Sequence, residues 1–337
     1  MGSGIPLGHS AAYEFLVNSF SQGKASHAYL FLGPKGVGKT ALTEQALKYL
    51  WCQATTNKPC GDCSTCRQVS SRSYPDLCWI TRLEGKQDIS IDQVRELKAF
   101  TNLASLAAGF RAVVIEAAEN LTTEASNALL KVLEEPLGKT VFFLTASEAK
   151  QLLPTVRSRC FIMHLGLVPT DEIKRFLVQT YKKSATRASE LAHLVGGRPG
   201  VAVALAGDDE ELERRHSLAE RYLELWHQPS WPAWQAWFNQ ELTSSDDSRG
   251  RTLIEAQKWL AIWLEIGRDL ILVKLKLSSF VRYQTLLDKL ELAVKHVTLS
   301  ELLKAVRLIM QARHKLASNA NIRLTLEWLT LTLSAKA

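Results

Sequence analysis

The run Gly33-Pro34-Lys35-Gly36-Val37-Gly38-Lys39-Thr40 has the residue types and spacing of a phosphate loop. In such a loop the glycines let backbone N–H groups approach phosphate oxygens at a helix N-terminus. The lysine reaches the β and γ oxygens, and the hydroxyl residue faces magnesium. Gly33, Gly36, Gly38, Lys39 and Thr40 are the candidate nucleotide-binding residues, and ATP or ADP with Mg2+ is the implied ligand. A second set is Cys52, Cys60, Cys63 and Cys66, with Gly61-Asp62 and Ser64-Thr65 supplying the turns that let thiolates converge. Four sulfur ligands fit a structural Zn2+ whose coordination sphere is closed, leaving no position for a catalytic water. Cys78 and Cys160 lie in apolar runs and read as buried thiols. A third set is the strand-like Val113-Val114-Ile115 followed by Glu116-Ala117-Ala118-Glu119. Hydrolysis at a phosphate loop needs an acid at such a strand end to hold magnesium, and a second acid to orient water.

The surrounding elements must bring these sets together. Tyr29 to Leu32 reads as a buried strand entering the loop, and Ala41 to Leu50 as a helix leaving it. Further strand-like runs are Leu77 to Arg82, Ala112 to Glu116, Val141 to Thr145 and Phe161 to Leu165, with helices such as Ile91 to Leu103 and Ser126 to Leu133 between them. That alternation predicts a parallel sheet covered by helices. After Pro169 the strands cease and helical patterns run to the end, broken at Gly196-Gly197-Arg198-Pro199-Gly200, at Gly207-Asp208-Asp209 and at Thr243 to Ser248. Trp226, Trp231, Trp234, Trp237, Trp259, Trp263 and Trp328 fall in this helical part, and packing is preferred over base stacking because basic residues are not interleaved with them. A net charge of +7 is spread over both halves, so it gives no polybasic footprint for DNA. The start, Met1-Gly2-Ser3-Gly4-Ile5, has no signal-peptide pattern, and a cytoplasmic, replisome-associated location is expected.

In order, the phosphate loop, the four-cysteine insert, the acidic strand, Asn127-Ala128-Leu129-Leu130-Lys131-Val132-Leu133-Glu134-Glu135-Pro136 and Ser158-Arg159-Cys160 resemble the bacterial clamp-loader subunits of the AAA+ family. Ser26-His27-Ala28-Tyr29-Leu30-Phe31, Ile91-Asp92-Gln93-Val94-Arg95 and the closing Asn319-Ala320-Asn321-Ile322-Arg323-Leu324 are similar too. The resemblance implies an α/β fold: an AAA+ phosphate-loop domain with a parallel sheet over 1–166, carrying the zinc insert at 52–66. A small helical lid over 167–207 and an all-helical collar over 208–337 follow. It also implies partners, the gamma/tau and delta subunits of a five-membered DNA polymerase III clamp loader. The complex acts on the sliding clamp and primed DNA, with no membrane contact.

Aligned on that family, Glu116 takes the magnesium position, Glu119 the last acidic one, and Ala117 the position of the catalytic glutamate. Alanine cannot polarise water, and such losses cost about 100-fold to 10,000-fold in turnover. Gly200 stands where the ATP-hydrolysing members carry a lid arginine, with Arg198 two places early. Arg159, in Ser158-Arg159-Cys160, matches the arginine finger that acts on a neighbouring subunit's nucleotide. Thr145 fits the family's polar sensor position, although a strand-end threonine also suits β propensity alone. The expected activity is nucleotide binding with weak or absent hydrolysis, in a polymerase component that is not itself a polymerase. The alternative is an active ATPase like gamma/tau, with Glu116 or Glu119 standing in for Ala117.

Overall fold

A computed structural model describes residues 6–83, 86, 88–102, 109–134, 139–227, 231–241 and 249–334, without side-chain detail at 102, 227, 241, 249 and 251. Met1 to Ile5, Leu103, Glu135-Pro136 and Thr243 to Ser248, all used above, lie outside the described residues. Contacts divide the chain into two units, Met1–Phe176 with Gly197–Ala202, and Leu177–Gly196 with Val203–Ala337. The segment 167–207 is therefore shared between the two. Among the described residues no helix is long and apolar enough to cross a membrane.

Among the described residues the first unit holds five strands: β1 Ala28–Leu32, β2 Leu77–Ile80, β3 Arg111–Ile115, β4 Thr140–Ala146 and β5 Phe161–His164. Their order is β2-β3-β4-β1-β5, and every pairing is parallel. β1 is buried along its whole length because both faces are covered. Ala28, Leu30 and Leu32 join one core with Val113, Phe142 and Leu144, while Tyr29 and Phe31 join another with Val114, Phe143 and Leu47. β2 stops at Ile80 rather than Arg82, since β3, its one neighbour among the described residues, ends at Ile115. The helix after the loop starts at Lys39, two residues before the expected Ala41, because Gly38 takes the N-cap at φ 113°.

The second unit is helical throughout its described length, including Asp209–His227, Trp231–Glu241, Arg249–Lys274, Leu299–Ala317 and Ile322–Ser334. Trp234, Trp237, Trp259 and Trp263 are buried. Trp263 stacks on Tyr222 at 4.9 Å and meets Trp234 edge-on at 5.1 Å. These four rings form the core, while Trp226, Trp231 and Trp328 are half-buried. Trp263→Ala is expected to destabilise this unit by about 3–5 kcal/mol through the cavity it leaves. Urea unfolding followed by far-ultraviolet circular dichroism measures it, and a loss below about 1 kcal/mol would refute the core assignment. A second, ionic brace is buried here: Asp269 is fully enclosed and accepts from the backbone N–H groups of Arg282 (2.9 Å) and Tyr283 (3.0 Å). Thr298 and Glu301 close a capping box at the start of Leu299–Ala317.

Candidate nucleotide site and metal cluster

The sheet register explains why residues far apart in sequence meet. Ile115 pairs with Leu144 and Phe31 with Thr145, so Glu116, Thr145 and the loop after Leu32 emerge side by side at the strands' carboxyl ends. That edge is where open parallel sheets take ligands. Three glycines make the loop possible. A Cβ on Gly33 would lie 2.2 Å from the Leu165 carbonyl oxygen, and one on Gly36 would lie 2.8 Å from a Val201 methyl. Gly36 and Gly38 also have φ of 82° and 113°, where side-chain-bearing residues are strained.

Lys39 points its ammonium back into the loop, donating to the carbonyls of Gly33 (2.5 Å) and Pro34 (3.0 Å). Burial lowers its pKa, opposed by the nearby Glu119 and Glu116 carboxylates. Thr40 Oγ1 donates to Glu116 Oε1 at 3.0 Å, the pairing expected of a hydroxyl and an acid that share a metal. Ala117 is left-handed at φ 55°, ψ 57°, and its N–H donates to Thr145 Oγ1 at 3.0 Å. Thr145 is thus buried and holds the turn that follows β3. Glu119 Oε1 accepts from Ser147 N–H at 3.1 Å, while its buried Oε2 makes no hydrogen bond among the described residues.

Gly200 has a physical reason to be glycine. Its N–H donates to the Gly36 carbonyl at 2.8 Å, and a Cβ there would stand 3.0 Å from the same oxygen. The helix Pro199–Ala206 therefore begins directly against the phosphate loop, and a side chain at 200 would require the two to separate by a few tenths of an ångström.

Arg159 stands apart from this set. One guanidinium nitrogen donates to the Thr155 carbonyl at 3.0 Å and another to Glu134, with which it forms an ion pair. The side chain keeps 33% exposure. Its neighbour Cys160 packs on the core below, and burial pushes that thiol up to about 11.

The four cysteines converge as their spacing predicts. Their sulfurs lie within 4.8 Å of one another, and Cys52 Sγ is 3.6 Å from Cys60 Sγ. A tetrahedral zinc with Zn–S bonds of about 2.3 Å calls for S–S edges of about 3.8 Å, so the cluster fits the ion. Backbone N–H groups of Cys60, Cys63 and Cys66 donate to the sulfurs of Cys52, Cys60 and Cys63 at 3.3, 3.4 and 3.4 Å. Such bonds favour thiolates. Burial would raise the Cys63 thiol, but the N–H groups of Gln53 and Cys66 draw it down to about 6. Burial pushes the Cys66 thiol up to about 12.

Three further residues touch the site without a sequence motif to announce them, and a fourth, Glu134, lies in the Asn127 motif but with no sign there of its partner. His9 Nε2 lies 2.9 Å from the Val37 carbonyl. Trp79 Nε1 donates to Glu116 Oε2 at 3.2 Å, Arg72 pairs with the same oxygen, and Glu134 holds Arg159. Trp79 could have been found from its register, since β2 pairs residue for residue with the acidic strand.

A phosphate loop at the carboxyl edge of a β2-β3-β4-β1-β5 parallel sheet, with an acid closing it from β3, defines an AAA+ phosphate-loop protein. A family model described as "DNA polymerase III, delta subunit" matches residues 8–168. Over 191 residues the chain is 36% identical to DNA polymerase III subunit delta prime of Pseudomonas aeruginosa, covering 56% of this chain and 58% of that protein. The chain thus spans under two thirds of that relative's length. Against the delta prime subunit of Bacillus subtilis the identity is 27% over 329 residues, covering 95% and 94%. In fold it is similar to a DNA polymerase III gamma subunit-related protein of Thermotoga maritima, with a TM-score of 0.52, 19% identity and coverage of 96% and 98%. Over residues 8–168 the chain is thus similar to DNA polymerase III delta prime subunits.

Proposed function

We propose that the chain acts as the delta prime subunit of a clamp loader, assembling with gamma/tau and delta subunits into a pentamer that loads the sliding clamp onto primed DNA. In this reading it binds ATP or ADP, hydrolyses it poorly, and contributes Arg159 to its neighbour's site. The three-domain division at 166 and 207 belongs to the same proposal, with the last domain as the assembly collar.

The observation that carries this reading is Ala117. It occupies the turn after β3 with its N–H tied to Thr145, beside a phosphate loop complete from Gly33 to Thr40. The site has what binding requires and lacks the carboxylate that would orient water. Lys39 and the loop N–H groups would hold the phosphates, and Thr40 with Glu116 would face the magnesium. A bound nucleotide draws Lys39 off the Gly33 and Pro34 carbonyls, exchanging neutral acceptors for charged ones. The retained Arg159 and the occupied space at Gly200 support the same assignment.

Titration of the purified chain with a fluorescent ATP analogue tests it. Lys39→Ala is expected to weaken binding by about 30-fold or more, the worth of a charge-assisted hydrogen bond to phosphate. Turnover by the chain alone should stay at background. Robust turnover would instead favour the gamma/tau-like reading, with the free oxygen of Glu119 as its base. Binding indifferent to Lys39 would mark the loop as a relic.

A further inference from the structure

Glu116 stands where a phosphate-loop site needs an acid for magnesium, yet each of its oxygens is engaged by protein groups. Thr40 Oγ1 donates to Oε1 at 3.0 Å. Trp79 Nε1 at 3.2 Å and Arg72 Nη2 at 3.4 Å both donate to Oε2. The Arg72 guanidinium also lies over the Trp79 ring, 4.2 Å from its centroid, so the indole orients the cation from its face while sharing the carboxylate at its edge.

Arg72 reaches this position by a specific backbone route. The helix Ser64–Ser70 starts on Cys63, whose sulfur accepts the Cys66 N–H. It ends with Arg72 N–H donating to Val69 O at 3.1 Å and Ser73 N–H to Gln68 O at 2.9 Å. This closure sets Arg72 at φ 56°, a left-handed conformation that is strained for a side-chain-bearing residue. Glycine or asparagine would be the usual choice there. The four-cysteine module thus ends in a strained arginine directed onto the acid of the phosphate-loop site.

We propose that Arg72 is the resident cation of this site. Its charge neutralises Glu116 and supplies part of what a divalent ion would otherwise provide at the phosphates, so nucleotide binding depends only weakly on magnesium. Mg2+ is usually held by one or two carboxylates together with substrate phosphates, and a carboxylate already paired with a guanidinium attracts it less. A guanidinium is permanently charged, planar and suited to phosphate oxygens. At 43% side-chain exposure Arg72 can turn from Glu116 toward a phosphate while remaining hydrated. This inference rests on the nucleotide-binding reading above and goes beyond it, because the family resemblance implies a magnesium-bound nucleotide.

The test is calorimetric titration of the full chain with ADP, with magnesium in excess and again after magnesium is removed by dialysis against resin-treated buffer. Chelators are avoided so that metal at the cysteine cluster stays, and elemental analysis verifies it. Wild-type affinity is expected to change by less than about threefold between the two conditions, and that of Arg72→Met by about tenfold or more. Arg72→Lys should retain most of the wild-type tolerance. Arg72→Gly, which suits the left-handed backbone, should behave like Arg72→Met and thereby exclude a folding defect. Equal magnesium dependence in wild type and both neutral variants overturns the proposal. Absence of ADP binding by wild type in either condition overturns the nucleotide reading itself, and this proposal with it.

Discussion

Arg159→Ala is expected to slow ATP hydrolysis at the adjoining site of a reconstituted loader by about 1,000-fold or more, with pentamer assembly intact. The guanidinium in the isolated chain is not idle. It donates to the Thr155 carbonyl and pairs with Glu134, at the end of the helix Thr123–Glu134. A finger must exchange that carboxylate for a developing phosphoryl charge, and partial exposure makes the exchange feasible. The pair is a surface one, worth about 0–1 kcal/mol, so its loss should scarcely alter folding. Arg159→Lys separates charge from geometry, because an ammonium cannot present two parallel donors. Single-turnover hydrolysis by the assembled complex gives the readout. An unchanged rate in the alanine variant removes the finger role and leaves Arg159 as a partner of Glu134 alone.

Stripping the metal from the cysteine cluster should lower the thermal midpoint of the chain by about 10 °C or more, corresponding to roughly 4 kcal/mol. The cluster organises more than its own turns. Cys63 caps the helix Ser64–Ser70, whose Val69 packs in the core beneath the sheet, and Trp51 just before Cys52 meets Tyr74 at a tilt with ring centroids 4.4 Å apart. Without the ion, four sulfurs within 4.8 Å of one another share a small volume with no cation to offset thiolate charge. Scanning calorimetry beside elemental analysis checks this, with Cys63→Ser as the genetic counterpart. A metal-free chain that melts at the same temperature would show that the cysteines pack as thiols. No direct loss of nucleotide chemistry is expected, since a four-sulfur site offers no open coordination position.

These outcomes bear on how the chain divides its labour. In the proposed reading the phosphate loop and Glu116 would hold a nucleotide and Ala117 would withhold the water-orienting carboxylate, while Gly200 brings the start of the helix Pro199–Ala206 against Gly36. The last contact makes a side chain at that position tight against the Gly36 carbonyl. Conformation and chemistry therefore agree in this unit. Under that reading the groups that would bind nucleotide are present, while a methyl or a backbone contact stands where groups that accelerate hydrolysis would be.

Much of this was legible in the chain because it is encoded locally. Glycines at 33, 36 and 38 are demanded by backbone geometry within a few residues, and the cysteines from 52 to 66 are brought together by turns written between them. Apolar runs bounded by turn residues gave all five strands, with ends displaced where pairing, rather than propensity, sets the limit. The aromatic core of the helical unit followed from tryptophans unaccompanied by regular basic residues. Strand order, however, follows from packing both faces of the sheet at once, and only that order sets Glu116 beside Thr40 and Thr145 beside Ala117. Arg72 on Glu116, Glu134 on Arg159 and Gly200 on Gly36 are likewise meetings of residues separated by 44, 25 and 164 positions. No local periodicity marks such partners, since their energy comes from charge and shape matched across the folded chain. Sequence thus determined which groups could bind phosphate and metal, and tertiary structure decided which of them face each other.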